Sequence, residues 1–145
     1  MDPRTAIPHR PPFLLLDDIV ELDAASVTAT RRLDPADELL GRVYAGHYPG
    51  CPITPGVLLC EMVFQAGAVL MHHRLVEAAP EKVPLLAKIQ SARFKRMVRP
   101  GETVTVRASF VEQIGRAYRL RGTVHVENEL AVRTEFLVTP GDPHA

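Results

Sequence analysis

Cysteine is scarce in this chain, net charge is absent and no apolar run is long, and each shortage closes off a class of function. Only two cysteines, Cys51 and Cys60, occur among 145 residues. They lack CxxC spacing and are too few for a disulfide framework, which suits a reducing compartment such as the cytoplasm. Lysine plus arginine equals aspartate plus glutamate at 17 each, so no overall field recruits nucleic acid or an anionic membrane surface. A charge-driven partner has to be met by a local patch. The longest apolar stretch, between Glu61 and His72, is broken by Gln65 and falls short of the roughly 20 residues that cross a bilayer. The opening MDPRTAIPHRPP holds no apolar segment that would act as a signal peptide. A soluble, cytoplasmic protein is expected, and the length fits one domain spanning residues 1–145.

Internal repeats and low-complexity tracts are missing as well. The 13 prolines, concentrated in the first 55 positions and at the tail, mark loops. Phe13 to Leu22, with a continuous apolar run, and Ser26 to Leu33, alternating around Val27, Ala29 and Arg31, read as a first strand pair. Residues 34–56 carry turn formers and few periodic apolar positions, so a long ordered loop is expected there, and such loops are often functional. From Val57 to about Ala79 there is no proline and there are many good helix formers, which predicts a helix starting just after Pro55-Gly56. At about 1.5 Å per residue it would run roughly 30 Å. Its first four turns are apolar on nearly every side, so it cannot lie on a surface with one face wet. Downstream, Ala87 to Val98 predicts a strand with a basic stretch. ETVTVRASFVEQ, RAYRLRGTVHVE and LAVRTEFLV then alternate at period two, with turns at Gly115 and at Glu127-Asn128-Glu129. One long buried helix followed by antiparallel strands predicts an α+β domain whose sheet curls around the helix. A single sheet covers only part of such a helix and leaves edges that need pairing, so at least a homodimer is expected.

Chemistry-bearing residues gather in GHYPGCPITPGVLLCEMVFQ, residues 46–65. His47 in the loop titrates near neutrality, while burial raises the pKa of a carboxyl such as Glu61 in the first turns of the helix; together they are a candidate base and acid. Gln65 follows Glu61 by four residues and shares its helix face, so its amide can bond one carboxyl oxygen and aim the other at a substrate. An isolated buried carboxylate is costly, and Glu61 is therefore expected to be protonated, hydrogen-bonded or facing a cavity. The first N–H groups of the helix, at Gly56 and Val57, lack intrahelical acceptors and sit at the positive end of the helix dipole. They can hold an oxyanion, and glycine leaves room for a carbonyl to approach. Base, acid and oxyanion site together suit proton abstraction beside a carbonyl followed by loss of a β substituent.

Plainer readings compete for the same residues. A lone loop histidine is more often structural, a buried acid can be satisfied by a partner, and Gln65 can be packing polarity. A thiol nucleophile at Cys51 or Cys60, activated by His47, is a rival that lacks a third group to orient the base. His72 and His73 diverge by about 100° around the helix, too far to share a metal, and suit its C-terminus electrostatically. His9 reads as structural. No metal or organic cofactor is implied.

IPHRPPFLLLDDIVELD, GHYPGCPITPGVLLCEMVFQAGAVL and ARFKRMVRPGETV, in that order, resemble the 3-hydroxyacyl-[acyl-carrier-protein] dehydratases of bacterial type II fatty acid synthesis, over most of the chain from Ile7 to Val138. The second segment departs from the family's GHFPGxPxMPGVLxxEAxAQ by Tyr48 for phenylalanine, Thr54 for methionine, and Met62-Val63-Phe64 between Glu61 and Gln65. The chemistry-bearing positions stay in place. The resemblance implies the hotdog fold, a curved antiparallel sheet around a central helix, with active sites at a dimer interface; trimers of dimers are common in the family. It implies His47 as the base at Cα and Glu61, from the other subunit, as the acid that protonates the leaving hydroxyl at Cβ. It also implies the Gly56 amide as the holder of the thioester oxygen and Gln65 as the group that orients Glu61. Glutamate at position 61, where the related dehydratase-isomerase branch has aspartate, resembles the branch that dehydrates without moving the double bond.

The substrate implied by the resemblance arrives on the phosphopantetheine arm of an acidic acyl carrier protein. Arg93, Lys95, Arg96 and Arg99 would then include its docking surface, with Phe94 turned inward and Thr54 and Tyr48 beside the acyl path. Because Thr54 is smaller and more polar than methionine, a chain-length preference does not transfer. Without the resemblance, residues 93–99 are an ordinary solvated strand face. Two further functions fit the same architecture: a hotdog thioesterase that activates water and releases free thiol, and a non-catalytic acyl-carrier binding module that keeps binding when His47 or Glu61 becomes alanine.

Overall fold

A computed structural model describes residues 1–144. Its elements are β1 (Asp18–Leu22), β2 (Ser26–Arg32), α1 (Glu38–Gly46), α2 (Gly56–Leu75), β3 (Val83–Phe94), β4 (Thr103–Ile114), β5 (Ala117–Val126) and β6 (Glu129–Gly141). All six strands form one antiparallel sheet in the order β1-β2-β4-β5-β6-β3. The two expected hairpin turns fall at Gly115 and at Glu127, both in the left-handed region with φ of 60° and 54°. The alternation read from β4, β5 and β6 becomes one face against α2 and one face outward: Val104, Val106, Leu120, Val124 and Phe136 are fully buried.

Helix α2 packs against β2 through β6, with Met62, Val63, Ala66, Val69, Leu70 and Met71 fully buried. Close approach is possible because β5 has no side chain at Gly122, where a Cβ would collide with Val63 and lie 2.9 Å from the Arg107 carbonyl oxygen. The sheet leaves one stripe of the helix uncovered. Val57 is 74% exposed, and Glu61 and Phe64, four and seven residues on, are half-buried on the same side. This is the hotdog arrangement, a long central helix held by an antiparallel sheet.

Several boundaries differ from those expected. The stretch before β1 is not a strand, because the Leu15 N–H bonds the side chain of Gln65 at 2.9 Å instead of a neighbouring backbone. Residues 34–56 are not all loop: Asp37 caps α1 by accepting from the N–H groups of Leu39 and Leu40, and Leu40 and Tyr44 anchor that helix in the core. Helix α2 ends at Leu75, after which the Val76 and Ala79 N–H groups still reach back to His72 and Leu75 as turns. By length and composition α2 would cross a bilayer, although its apolar run is interrupted; here most of it is enclosed by the fold. Strand β3 starts at Val83, opposite Gly141, and stops at Phe94. The chain then leaves the sheet so that Val98 is buried and its carbonyl accepts from the Thr54 N–H at 2.7 Å.

Candidate active site

His47 sits at the C-cap of α1. The helix is aimed from its other end, where buried Arg31 on β2 bridges Asp17 at 3.1 Å and the capping Asp37 at 2.8 Å. The His47 Nδ1 lies 3.1 Å from the Ile53 carbonyl oxygen. A carbonyl only accepts, so Nδ1 carries the ring hydrogen and Nε2 keeps a free lone pair, the arrangement a base requires. The Ile53 N–H returns a bond to the His47 carbonyl at 3.0 Å, which closes the proline- and glycine-rich loop on itself. Tyr48, 58% exposed, stacks on the imidazole at 4.5 Å between centroids.

Glu61 projects from the uncovered stripe of α2 into a cavity of about 650 Å³, whose walls include His9, Phe64, Ala68, Leu85 and Leu86. Burial pushes its carboxyl above the usual carboxylate range, partly opposed by the hydrogen bond from Gln65. Gln65 is 1% exposed and its amide is fully employed. Its Oε1 accepts from the Leu15 N–H at 2.9 Å, and its Nε2 donates to the Phe13 carbonyl at 2.8 Å and, more loosely, to Glu61 Oε1 at 3.4 Å. The glutamine therefore binds the 13–15 segment more tightly than the acid it was expected to orient.

A few residues before that segment lies His9, whose sequence context alone reads as structural. His9 Nε2 lies 3.8 Å from Glu61 Oε1, inside the cavity wall. The only sign in the sequence was its place in IPHRPPF, one of the stretches that carry the family resemblance.

At the start of α2 the Leu58 and Leu59 N–H groups both turn to the Pro55 carbonyl, while those of Gly56 and Val57 have no acceptor among the described residues. The Phe94 ring lies over Gly56, where a Cβ would be 2.5 Å from the ring edge. Phe94 thus does not turn into the core as expected. It is 54% exposed, because β3 is the outermost strand and its ring is laid on the helix N-terminus. Thr54 is 4% exposed, but its hydroxyl pairs with the Tyr44 hydroxyl at 2.8 Å, and neither it nor Tyr48 nor Phe94 lines the 650 Å³ cavity.

The basic group splits. Arg96 is held by Glu102 at 2.9 Å and Glu129 at 2.8 Å, so its charge is already matched. Arg93 and Lys95 are exposed and make no ion pair among the described residues. Arg99 is exposed beside Cys51, its guanidinium 4.0 Å from Sγ. Burial raises the Cys60 thiol pKa, which weakens the case for a thiol nucleophile. His47 does not line the cavity that Glu61 occupies, so one chain alone presents the base and the acid in separate settings.

The fold is a hotdog, and its long helix sets a carboxyl of raised pKa on the wall of an apolar cavity. A FabA-like domain model matches residues 7–135, and the chain belongs to that family. It is 34% identical over 131 residues to the 3-hydroxyacyl-[acyl-carrier-protein] dehydratase FabZ of Rickettsia bellii, covering 90% of this chain and 87% of that one. Identity to the protein of the same name from Thiobacillus denitrificans is 32% over 139 residues, 94% of this chain and 92% of that one. Among solved structures, the dehydratase heterocomplex ApeI:P from Xenorhabdus doucetiae superposes with a TM-score of 0.81 at 15% identity, over 99% of this chain and 93% of that chain.

Proposed function

We propose that this protein dehydrates (3R)-3-hydroxyacyl thioesters, carried on the phosphopantetheine of an acyl carrier protein, to trans-2-enoyl thioesters. The observation that carries the reading is Glu61, a carboxyl on the wall of an apolar cavity whose burial favours the protonated form. It is supported by the names of relatives that match nine-tenths of the chain.

In this mechanism His47 Nε2 takes a proton from Cα, and the Gly56 N–H, with Val57 beside it, holds the thioester oxygen as negative charge moves onto it. The Cβ–O bond then breaks while Glu61 gives its proton to the departing hydroxyl. A Cα=Cβ double bond and water result, and return of the proton from His47 to Glu61 resets the site. Because acid and base lie apart within one chain, the complete site needs the His47 loop of a second copy in a homodimer. The reaction needs no metal or organic cofactor in this scheme, and the protein works in the cytoplasm. Arg93 and Lys95, which make no ion pair among the described residues, would dock the acidic carrier, with Arg99 alongside.

The test is turnover of 3-hydroxybutyryl and longer thioesters, on carrier and on coenzyme A, followed by enoyl absorbance. His47→Ala and Glu61→Gln should each lower kcat by about 10²–10⁴. Release of free thiol without enoyl product would favour a thioesterase instead. Since Glu61 must hold its proton to act, activity should fall on the alkaline side as pH rises through its raised pKa. A flat alkaline limb would reject Glu61 as the acid.

A further inference from the structure

Glu61 Oε1 is flanked by two side-chain nitrogens, Gln65 Nε2 at 3.4 Å and His9 Nε2 at 3.8 Å. The His9 ring is buried enough that its Nδ1 meets neither solvent nor a partner among the described residues. A buried N–H without an acceptor is rarer and costlier than a bare lone pair, so the ring hydrogen belongs on Nε2, the side that faces Glu61. The ring is also held in place. It stacks on Phe13 at 6.5 Å between centroids, and the Phe13 carbonyl is fastened by the buried Gln65 amide at 2.8 Å. One glutamine thus secures both the acid and the segment that brings a second donor to it.

We propose that His9 is a positioning residue: with Gln65 it offers neutral N–H groups to one oxygen of Glu61, which assigns the acidic proton to the other. The role rests on the dehydration reading above. As the Oε2–H bond breaks and the proton joins the leaving hydroxyl to form water, negative charge appears on a carboxylate set in an apolar wall. The two N–H groups then draw in on Oε1. A separation of 3.8 Å is longer than a hydrogen bond, and such contacts commonly tighten only once charge develops. The titratable and charged groups around His9 are Glu61, the neighbouring Arg10, whose guanidinium bonds the Ile7 and His9 carbonyls, and His144 across the cavity. Burial first and Arg10 second hold His9 below the usual histidine range. Both effects favour the neutral ring, the form that donates from Nε2.

The experiment is a carboxyl carbon NMR titration of Glu61 in the full chain, wild type against His9→Phe and His9→Gln, beside the pH dependence of kcat. Loss of the donor in His9→Phe should raise the Glu61 midpoint, move the alkaline limb of kcat to higher pH and lower kcat about tenfold with KM little changed. His9→Gln, which keeps an N–H, should recover most of both effects. An unmoved midpoint, an unmoved limb, or a glutamine variant no better than phenylalanine would overturn the role. Should His9→Phe fail to fold, His9→Asn, too short to reach Glu61, takes its place with the same expectations. If even the wild type turns over no hydroxyacyl thioester, the dehydratase reading fails, while the titration still decides whether His9 acts on Glu61.

Discussion

β1 and β3 form the two sides of one sheet, yet only β1 is sealed. β1 is five residues long and irregular in register between Ile19 and Glu21. Its outer side is taken by the N-terminus: the Met1 carbonyl accepts from the Ile19 N–H at 2.8 Å, and the Met1 ammonium donates to the Ile19 carbonyl at 2.8 Å and to Asp18 at 2.9 Å. β3 is 12 residues long and has no strand beyond it among the described residues. Leu85, Leu86, Ile89 and Phe94 on it are each 44–54% exposed. A long apolar edge invites another strand, and proteins that must stay monomeric blunt such edges. The contrast leaves one edge of the sheet satisfied and the other open among the described residues, and Leu85 and Leu86 on the open edge also line the Glu61 cavity.

The strongest test of that contrast mixes two inactive variants. If each site takes His47 from one copy and Glu61 from the other, co-refolded His47→Ala and Glu61→Gln chains should regain about a quarter of wild-type activity, since half the dimers are mixed and each holds one intact site. No recovery would place both groups in one chain or break the pairing. A lysine at Ile89, on the open edge, should shift the mass in sedimentation velocity toward monomer and cut activity at least about tenfold. The same change at Val20, on sealed β1 and 54% exposed, should alter neither; equal effects at both edges would erase the distinction. Smallest, Arg93→Glu with Lys95→Glu should raise KM for the carrier-bound substrate by about three- to tenfold and leave the coenzyme A thioester almost unchanged. Equal effects on both substrates would remove the carrier from this strand.

How far the sequence revealed this layout depended on how local each cause was. α2 was readable because a proline-free run of helix formers follows Pro55-Gly56, and β4 to β6 because their alternation matches one buried face. α1 was missed: its nine residues include Gly41 and Gly46 and lie among prolines, although Asp37 before Glu38 and the Leu40–Tyr44 spacing were a usable cap and stripe. The apolar Phe13–Leu16 run misled because its backbone is satisfied by a side chain 50 residues away in sequence. For the same reason the Glu61–Gln65 pair was visible from its helical spacing, while the approach of His9 to Glu61 was not. It arises from a tertiary contact. The split of the basic cluster also needed three dimensions, since Glu102, just before β4, and Glu129, at the start of β6, claim Arg96 from different parts of the chain.

The hydroxyl pair of Tyr44 and Thr54 ties α1 to the segment just before α2. Thr54→Met would strand a buried phenol oxygen, a penalty of about 1–3 kcal/mol, unless position 44 lost its hydroxyl as well. The two positions are therefore coupled, and a change at one calls for a change at the other. Leu85 and Leu86, on the wall of the Glu61 cavity, have no such polar partner, so a change of size there would reshape the cavity without stranding a buried hydroxyl.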